Sequence, residues 1–321
     1  MAEPVTDIPV SGYPRVTGPD AATDPALGQL LAQLQARHHG AICATLLYGS
    51  CLRSGDIYDG LLDLYLVCDD YRAAYRSTLL ATANWLLPPN VFYAESTLGG
   101  RTLRSKVTVI SLADFRRGCS RAWFESYIWG RFAQPTLILH SRDAPTRRQV
   151  ENCLLQAVRT LLLNTLPVLP QEGDVTSLWE QALALSYSTE LRTERTGRAT
   201  QLARSAAEFY AAVTTHHAPS LGLGFTVYHS GVQLRYRSQV ASARRLATKL
   251  AWTVRRGQGK LLSVTRLVKA LFTFEGGLDY IAWKLERHSG ERIVIPDKVR
   301  RAPLVHLWGF FWGLYRRGIF K

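Results

Sequence analysis

Cysteine is scarce in this 321-residue chain, and the spacing of the few that occur excludes the common cysteine-based sites. The sequence has no Cys-x-x-Cys pair and no histidine at metal-ligand spacing from a cysteine. Scattered cysteines are typical of buried thiols in a protein that faces a reducing compartment. We therefore expect free thiols in a cytosolic environment at all five positions, Cys43, Cys51, Cys68, Cys119 and Cys153.

Acidic residues are scarce in the last third of the chain. Residues 231–321 contain 19 Lys and Arg but only 5 Asp and Glu, whereas basic and acidic residues are balanced in residues 1–230. The net charge of +14 therefore belongs to the last third. A concentration of positive charge of this kind favours contact with an anionic surface, either lipid or nucleic acid.

A targeting peptide and sequence repeats are also missing. Residues 1–24 carry four acids, four prolines and a single arginine, so they lack the pattern of a signal or transit peptide. We find no internal repeat and no low-complexity tract. We expect a flexible leader over residues 1–24, followed by a globular chain long enough for two domains.

Secondary-structure patterns predict a mixed α/β domain over residues 25–165. Asp24 and Pro25 are a helix cap and a first-turn proline, and the helix that they start runs to about residue 39. A second helix is predicted over about 71–86. Apolar strands are predicted at about 42–48, 62–68, 91–95 and 104–111. Strands that alternate with helices in this way predict a mixed sheet.

Beyond residue 165 the pattern becomes helical and then basic. Helices are predicted over about 174–188 and 194–214. We therefore predict a helical domain over residues 166–230 and a basic amphipathic C-terminal region over residues 231–321.

The most informative motif is an apolar strand that ends in Tyr48-Gly49-Ser50, followed by a second apolar strand that carries Asp63. A Gly-Ser turn lets backbone N–H groups approach phosphates, because glycine lacks Cβ and accepts positive φ. A carboxylate on the next strand points to the same mouth and can hold Mg²⁺. This layout is typical of nucleotidyltransferases, although such turns and rim aspartates also occur without that role. The usual second acid is missing, since Leu61 and Tyr65 stand at the candidate positions.

Six segments, read together, resemble the phosphatidate cytidylyltransferases of the mitochondrial translocator-assembly-and-maintenance type. The segments occur in the family's order, and they are Tyr48-Gly49-Ser50, Leu62-Asp63-Leu64, Asp69-Asp70, 106–111 (Lys-Val-Thr-Val-Ile-Ser), 127–135 (Tyr-Ile-Trp-Gly-Arg-Phe-Ala-Gln-Pro) and 185–192 (Leu-Ser-Tyr-Ser-Thr-Glu-Leu-Arg). The chain departs from the family pattern at Cys51, where the family usually has glycine, and at Tyr75, where a helix of the family carries histidine.

The resemblance implies a nucleotidyltransferase fold with a single aspartate on the strand, so the lone Asp63 is expected. It also implies transfer of the cytidylyl group of CTP to phosphatidic acid, with Mg²⁺ as cofactor and CDP-diacylglycerol and pyrophosphate as products. Phosphatidate is largely a dianion at neutral pH and is already nucleophilic, so no general base is required. The site must then supply in-line positioning and neutralisation of phosphate charge.

On this basis Asp63 is the predicted metal ligand, and Asp63 and Lys106 are the predicted catalytic residues. The predicted nucleotide-binding residues are Tyr48, Gly49, Ser50, Lys106, Arg131 and Arg192. Solvated or surface-paired charges are the alternative interpretation of Lys106 and Arg131. Glu95 is either a second metal ligand or a rim charge. The pair His216-His217 is predicted to lie in a loop.

Residues 240–256 predict a helix with two different faces. One face collects Ala243, Leu246, Ala247, Leu250 and Val254, and another carries Arg245, Lys249 and Arg256. The pattern fits a helix packed on the core with a solvated basic face, and it also fits a basic amphipathic helix at a lipid surface.

Residues 303–315 form an uncharged aromatic segment that is followed by Arg316-Arg317. The segment is too short to span a bilayer as a helix, which needs about 20 residues. Aromatic rings flanked by arginine suit a helix that lies at headgroup level, with a helix docked on the core as the alternative. Within the predicted membrane-binding segment 303–321, the predicted membrane contacts are Trp308, Phe311, Trp312, Arg316 and Arg317.

The resemblance, together with the basic and aromatic C-terminal region, implies a peripheral enzyme at the cytoplasmic face of the inner membrane. Its expected partners are CTP, phosphatidic acid and an anionic membrane surface, with no nucleic acid and with a homo-oligomer left open. One alternative is a non-catalytic nucleotidyltransferase-like module that binds nucleic acid through the basic third. The other is a soluble nucleotidyltransferase that acts on a small acceptor.

Overall fold

The first helix begins where the sequence predicts it. In the computed structural model, helix α1 (Pro25–Arg37) is capped by Asp24, whose carboxylate accepts a hydrogen bond from the Leu27 amide at 3.0 Å. Residues 1–11 of the predicted leader lie outside the described part of the chain, which comprises residues 12–190, 197–273, 286, 293, 295–301, 306, 309, 312, 313 and 316.

Residues 12–24, which the sequence assigned to the leader, contact the body of the protein. The Tyr13 side chain is buried, and its hydroxyl donates to the Thr136 carbonyl at 3.2 Å and accepts from the Thr136 amide at 3.0 Å. Its ring also packs edge-on against Phe209. This part of the leader is therefore tied to the folded chain.

A five-stranded sheet forms the centre of the first half of the chain. Its strand order is β3-β4-β2-β1-β5; β2 and β4 run parallel, and the other neighbouring pairs are antiparallel. The strands are β1 (Ile42–Tyr48), β2 (Leu62–Cys68), β3 (Asn90–Leu98), β4 (Arg101–Ser111) and β5 (Leu137–Ser141). The predicted α/β class with a mixed sheet is confirmed.

Helices connect and follow the strands, and one predicted helix differs from the observed structure. The expected single helix over 71–86 is split into α3 (Tyr71–Ala74) and α4 (Thr78–Leu86), because Tyr75 is extended and the Ser77 hydroxyl caps a new helix. The other helices of this half are α2 (Ser50–Ser54), α5 (Leu112–Cys119), α6 (Trp129–Phe132) and α7 (Ala144–Thr165).

Alternation along the strands places two hydrophobic cores on opposite faces of the sheet. Leu47 and Leu64 belong to the core shared with α1, whereas Tyr48 and Tyr65 belong to the core shared with α6 and α7. Because side chains alternate along a strand, Asp63 lies on the same face as Tyr65. The five cysteines are buried as free thiols, in agreement with the sequence analysis.

The second half of the chain combines helices with a small sheet. The predicted helix over 194–214 is divided into α9 (Arg198–Ser205) and α10 (Ala207–Leu221), which follow α8 (Val175–Tyr187). The predicted loop at His216-His217 is wrong, since both residues lie in α10 and His217 is buried. Three short strands pair in the order β6-β8-β7, namely β6 (Glu172–Asp174), β7 (Thr226–Ser230) and β8 (Gln233–Arg237).

A 32-residue helix, α11 (Ser242–Thr273), then crosses back to the first half of the chain, and α12 (Asp297–Arg301) follows it. Trp252 on α11 is buried and donates its indole N–H to the Asn164 carbonyl at 2.7 Å. The predicted apolar face points the other way, with Leu250 and Val254 exposed. The core-packed interpretation of this face is therefore wrong. Among the described residues, no helix is both long enough and apolar enough to cross a bilayer.

Candidate active site

The turn after β1 brings the backbone against a carboxylate. Gly49 adopts φ +93° and ψ −156°, a region that is essentially restricted to glycine. A Cβ built on Gly49 would lie 2.6 Å from Oδ2 of Asp63, closer than two such atoms can approach. Glycine at this position therefore allows the Asp63 carboxylate to lie directly against the turn that leads into Ser50.

Strand register places a cation beside that carboxylate. Asp63 on β2 stands opposite Lys106 on the parallel strand β4 and opposite Tyr48 on β1. The Lys106 ammonium lies 4.0 Å from Oδ1 of Asp63, and the two side chains stay 21% and 27% exposed. The carboxylate of Asp63 and the ammonium of Lys106 both remain accessible, so both can contact a ligand.

A buried arginine lies behind this pair. Arg131 on α6 is 9% exposed and donates to the Tyr65 hydroxyl at 3.0 Å and to Glu190 at 3.1 Å. Its guanidinium also lies 4.2 Å from the centre of the Tyr127 ring and 5.7 Å from that of Tyr48. Tyr65, which stands where a second acid was sought in the sequence, thus accepts a hydrogen bond from an arginine.

Helix α11 contributes a second arginine to the same cluster. Arg266 forms an ion pair with the buried Glu125, and its guanidinium lies 4.1 Å from the centre of the Tyr127 ring. Its Nε also donates to the Pro88 carbonyl at 3.2 Å. Tyr127 therefore contacts one guanidinium from the sheet-side helix α6 and another from the basic last third of the chain.

The charges around Tyr127 alter its acidity. Burial opposes ionisation of the phenol, but the positive charges of Arg131, Lys106 and Arg266 outweigh this effect and lower the pKa of Tyr127 to about 8. The positive electrostatic potential at the Tyr127 hydroxyl therefore comes from three cations, Lys106, Arg131 and Arg266.

A cleft of about 780 Å³ adjoins the Gly49 turn, and neither Asp63 nor Lys106 is among its lining residues. It lies between that turn and helices α9 and α10, and its lining includes Gly49, Arg15, Arg53 and Arg204 against the single acid Glu208. Desolvation and the neighbouring Arg198 lower the pKa of Arg53, as expected where cations gather without an equal number of acids. The cleft is therefore suited to an anionic ligand of nucleotide size.

The side chains near the Gly49 turn limit how a metal ion could be bound there. Within the described ranges, no three His, Cys, Asp or Glu side chains group closely enough to bind a metal. Glu95 does not join Asp63, because it lies two strands away on β3. It accepts a hydrogen bond from the Tyr93 hydroxyl at 2.8 Å and forms an ion pair with Arg104 at 3.8 Å. The position of Glu95 therefore fits the interpretation as a rim charge. Since Mg²⁺ often takes one carboxylate together with substrate phosphates and water, Asp63 fits an ion that arrives with a triphosphate.

The structure brings most of the predicted site residues together. Those that meet where the end of β1 and the start of β2 lie beside the middle of β4 are Tyr48, Gly49, Ser50, Asp63, Lys106 and Arg131. Arg192, Trp308, Phe311 and Arg317 lie outside the described residues. Trp312 and Arg316 are exposed and helical.

Sequence reasoning missed four members of the cluster as site residues, namely Tyr65, Tyr127, Glu190 and Arg266. Tyr65 carried a signal, since it occupies an acid position of the motif. Tyr127 and Glu190 lie inside segments that carried the family resemblance. Arg266 had no local signal, because its partners Glu125 and Tyr127 are about 140 positions away in the chain.

Solved structures with a distant similarity to this chain include a nucleotidyltransferase-like protein. The chain is similar to a nucleotidyltransferase-like protein from Exiguobacterium sibiricum 255-15, with 12% identity and a TM-score of 0.27, over 68% of this chain and 99% of that one. A TM-score of this size does not establish a shared fold. No protein-family model and no curated protein matches the sequence.

The close approach at Gly49 predicts a specific stability defect. Gly49→Ala should destabilise the protein by about 3 kcal/mol, because the backbone region is essentially glycine-only and the new methyl group meets Asp63. Gly55→Ala is the matched control, since Gly55 also has positive φ but a Cβ there meets no atom within 4 Å; it should cost about 1 kcal/mol. Denaturant unfolding measures both. Equal losses would show that Asp63 does not approach the turn.

The charges around Tyr127 predict a titration. One of the 14 tyrosines should ionise at about pH 8, seen as tyrosinate absorbance. In the unfolded chain a tyrosine ionises near pH 10. The unfolded protein therefore holds more protons between these pH values, and the stability that Tyr127 contributes rises from pH 8 to pH 10 and is absent below pH 8. Tyr127→Phe should remove the step, and Lys106→Gln should move it to higher pH. Persistence of the step in Tyr127→Phe would contradict the assignment.

Proposed function

We propose that this chain is a nucleotidyltransferase that transfers the cytidylyl group of CTP to phosphatidic acid, giving CDP-diacylglycerol and pyrophosphate. The observation that carries the proposal is the contact between the Gly49 turn and the Asp63 carboxylate, with Lys106 4.0 Å from that carboxylate. A glycine turn, a lone accessible acid and an adjacent cation are the groups that a triphosphate and its counter-ion require.

The donor nucleotide is assigned to the Gly49 side of the site. Gly49 and Ser50 would contact the triphosphate, and Arg53 and Arg15 would offset its charge in the adjoining cleft. The cleft volume of about 780 Å³ is sufficient for a nucleoside triphosphate. Asp63 would hold Mg²⁺ against the phosphates, and the ion when bound would supply charge neutralisation at the α-phosphate and the leaving group.

The acceptor phosphate is assigned to the Lys106 side. An oxygen of the phosphatidate dianion forms a bond to the α-phosphorus, and the bond from that phosphorus to the bridging oxygen breaks. The pyrophosphate leaves with the electron pair, and no proton transfer is needed. Lys106 would offset the negative charge of the two phosphates as they approach one another.

Arg131 has a supporting part in this scheme. Its guanidinium already donates to Tyr65 and Glu190 and lies against two aromatic rings. It would therefore act by orienting Glu190 and Tyr127 and by its charge, rather than by direct contact with phosphate.

The choice of CTP and phosphatidate rests on the family resemblance, since no described residue is arranged to read a cytosine edge. The location proposed is the cytoplasmic face of the inner membrane, with the basic last third in contact with anionic lipid. The net charge of +14, all of it contributed by residues 231–321, supports attraction to such a surface.

The test is incubation with each of the four ribonucleoside triphosphates, Mg²⁺ and phosphatidate in mixed micelles, followed by mass analysis of the lipids. CTP should give the dominant product, CDP-diacylglycerol. Asp63→Asn should lower turnover by about 100-fold or more while the protein remains folded, because the main negative ligand for Mg²⁺ is lost. Glu95→Gln is the matched control on the same sheet and should retain activity within a few fold.

Each other outcome rejects a defined part of the proposal. A different dominant nucleotide would reject the cytidylyl part, and a product with no lipid would reject the acceptor. Asp63→Asn with nearly full activity would reject the metal ligand. A salt-sensitive shift of RNA or DNA without any transfer would favour the nucleic-acid-binding alternative.

A further inference from the structure

The outward side of α11 carries an apolar stripe that the fold leaves in solvent. Its members recur at helical spacing along about 33 Å of the helix, and their side chains are 47% to 66% exposed. We define this outer stripe as Leu246, Leu250, Val254, Leu261, Val264 and Val268. A stripe of this length is uncommon on a solvent-facing helix.

The orientation of α11 is fixed by polar contacts on its inward side. Arg255 donates to the Phe124 carbonyl at 2.6 Å, and Lys269 donates to the Leu87 and Pro89 carbonyls at 2.5 Å and 2.8 Å. Arg266 pairs with Glu125. Rotating the helix to bury its leucines and valines would leave these cations unpaired, so the outer stripe is held outward.

Charge distinguishes this helix from an ordinary amphipathic one. Over Ser242–Thr273 the sequence has eight Lys and Arg and no Asp or Glu. Lys249, Arg256 and Lys260 are exposed and border the outer stripe along one side. Whatever covers the stripe must therefore accept both apolar side chains and a row of cations.

A second exposed apolar group lies beside the end of α11. On α4, Leu79, Trp85 and Leu86 are 67% to 69% exposed. The loop that follows α4 is bound by Arg266 and Lys269 through the Pro88 carbonyl and its neighbours. We call these three residues the α4 patch. Tryptophan beside leucine is typical of side chains that sit at the headgroup level of a bilayer.

We propose that the outer stripe and the α4 patch dock on the surface of an anionic bilayer. Such a surface accepts apolar side chains between headgroups and attracts the bordering cations. A second copy of this chain is a poor occupant, because a two-fold pairing through the outer stripe would bring the exposed cations Lys249, Arg256 and Lys260 of both copies to one interface, with no acid on either α11 to pair them. The proposal rests on the proposed function in one respect, namely that an acceptor in a bilayer would give the enzyme a reason to bind that bilayer. The surface is separate from residues 303–321.

The test is sedimentation of the full chain with vesicles, without nucleotide. The vesicles are phosphatidylcholine alone or phosphatidylcholine with phosphatidylglycerol. Leu250→Glu with Leu261→Glu should reduce binding to the anionic vesicles by about ten-fold or more, because two apolar contacts are replaced by charges that the headgroups repel. The control is Leu98→Glu with Val232→Glu, which changes two exposed apolar residues outside α11 and α4 and should bind like the wild type.

A second variant, which removes charges beside the outer stripe, tests the same surface without changing its leucines. Lys249→Gln with Arg256→Gln and Lys260→Gln should weaken binding to anionic vesicles and reduce its salt dependence, with no effect on weak binding to neutral vesicles. All substituted residues are exposed, and circular dichroism checks that each variant is folded.

Two results would overturn the docking surface. One is normal binding of the stripe variant to anionic vesicles, which would leave the segment 303–321 as the sole anchor. The other is a change from dimer to monomer by light scattering with vesicle binding intact, which would assign the stripe to a second copy. Failure of the proposed function can be distinguished from failure of the docking surface. If the transfer assay gives no lipid product, the vesicle-binding result still stands, because it is measured without nucleotide. Turnover of a water-soluble short-chain phosphatidate by the stripe variant should stay near wild type.

Discussion

The approach of the Asp63 carboxylate to the Gly49 turn is the constraint around which the candidate site is built. It requires a backbone conformation that side chains other than hydrogen do not tolerate, and it requires β1 and β2 to pair in the register that sets Tyr48 opposite Asp63. The parallel pairing of β2 with β4 then fixes Lys106 on the other side of the same carboxylate. Three strands thus deliver a turn, an acid and a cation to one place.

The second constraint is the pair of guanidinium contacts on Tyr127. Arg131 belongs to the first half of the chain and Arg266 to the basic last third, so the Tyr127 ring joins two parts of the chain that are distant in sequence. Arg266 also pairs with the buried Glu125. A shift of α11 would therefore leave the Glu125 carboxylate buried without its cationic partner. The same helix therefore meets the site on one side and presents an apolar stripe on the other.

Much of the first half could be predicted because its signals are local. Alternating apolar strands, the Asp24 cap and the glycine turn depend on neighbouring residues, and β1 and β2 lie where the sequence places them. The break between α3 and α4 was missed, although Ser77 is a good cap, because the apolar pattern continues through it. The orientation of α11 could not be predicted. Periodicity defines two faces but not which one is inward, and the usual rule fails where Glu125 and backbone carbonyls pair the inward cations.

A nucleoside triphosphate should bind where the Gly49 turn meets Asp63. Anomalous scattering from Mn²⁺, in crystals grown with a non-hydrolysable CTP analogue, tests this most directly. We expect a manganese peak within about 2.2 Å of an Asp63 oxygen, with the triphosphate against Gly49 and Ser50 and the nucleoside in the cleft beside Arg53. A metal peak away from Asp63, or a triphosphate bound elsewhere on the protein, would contradict it.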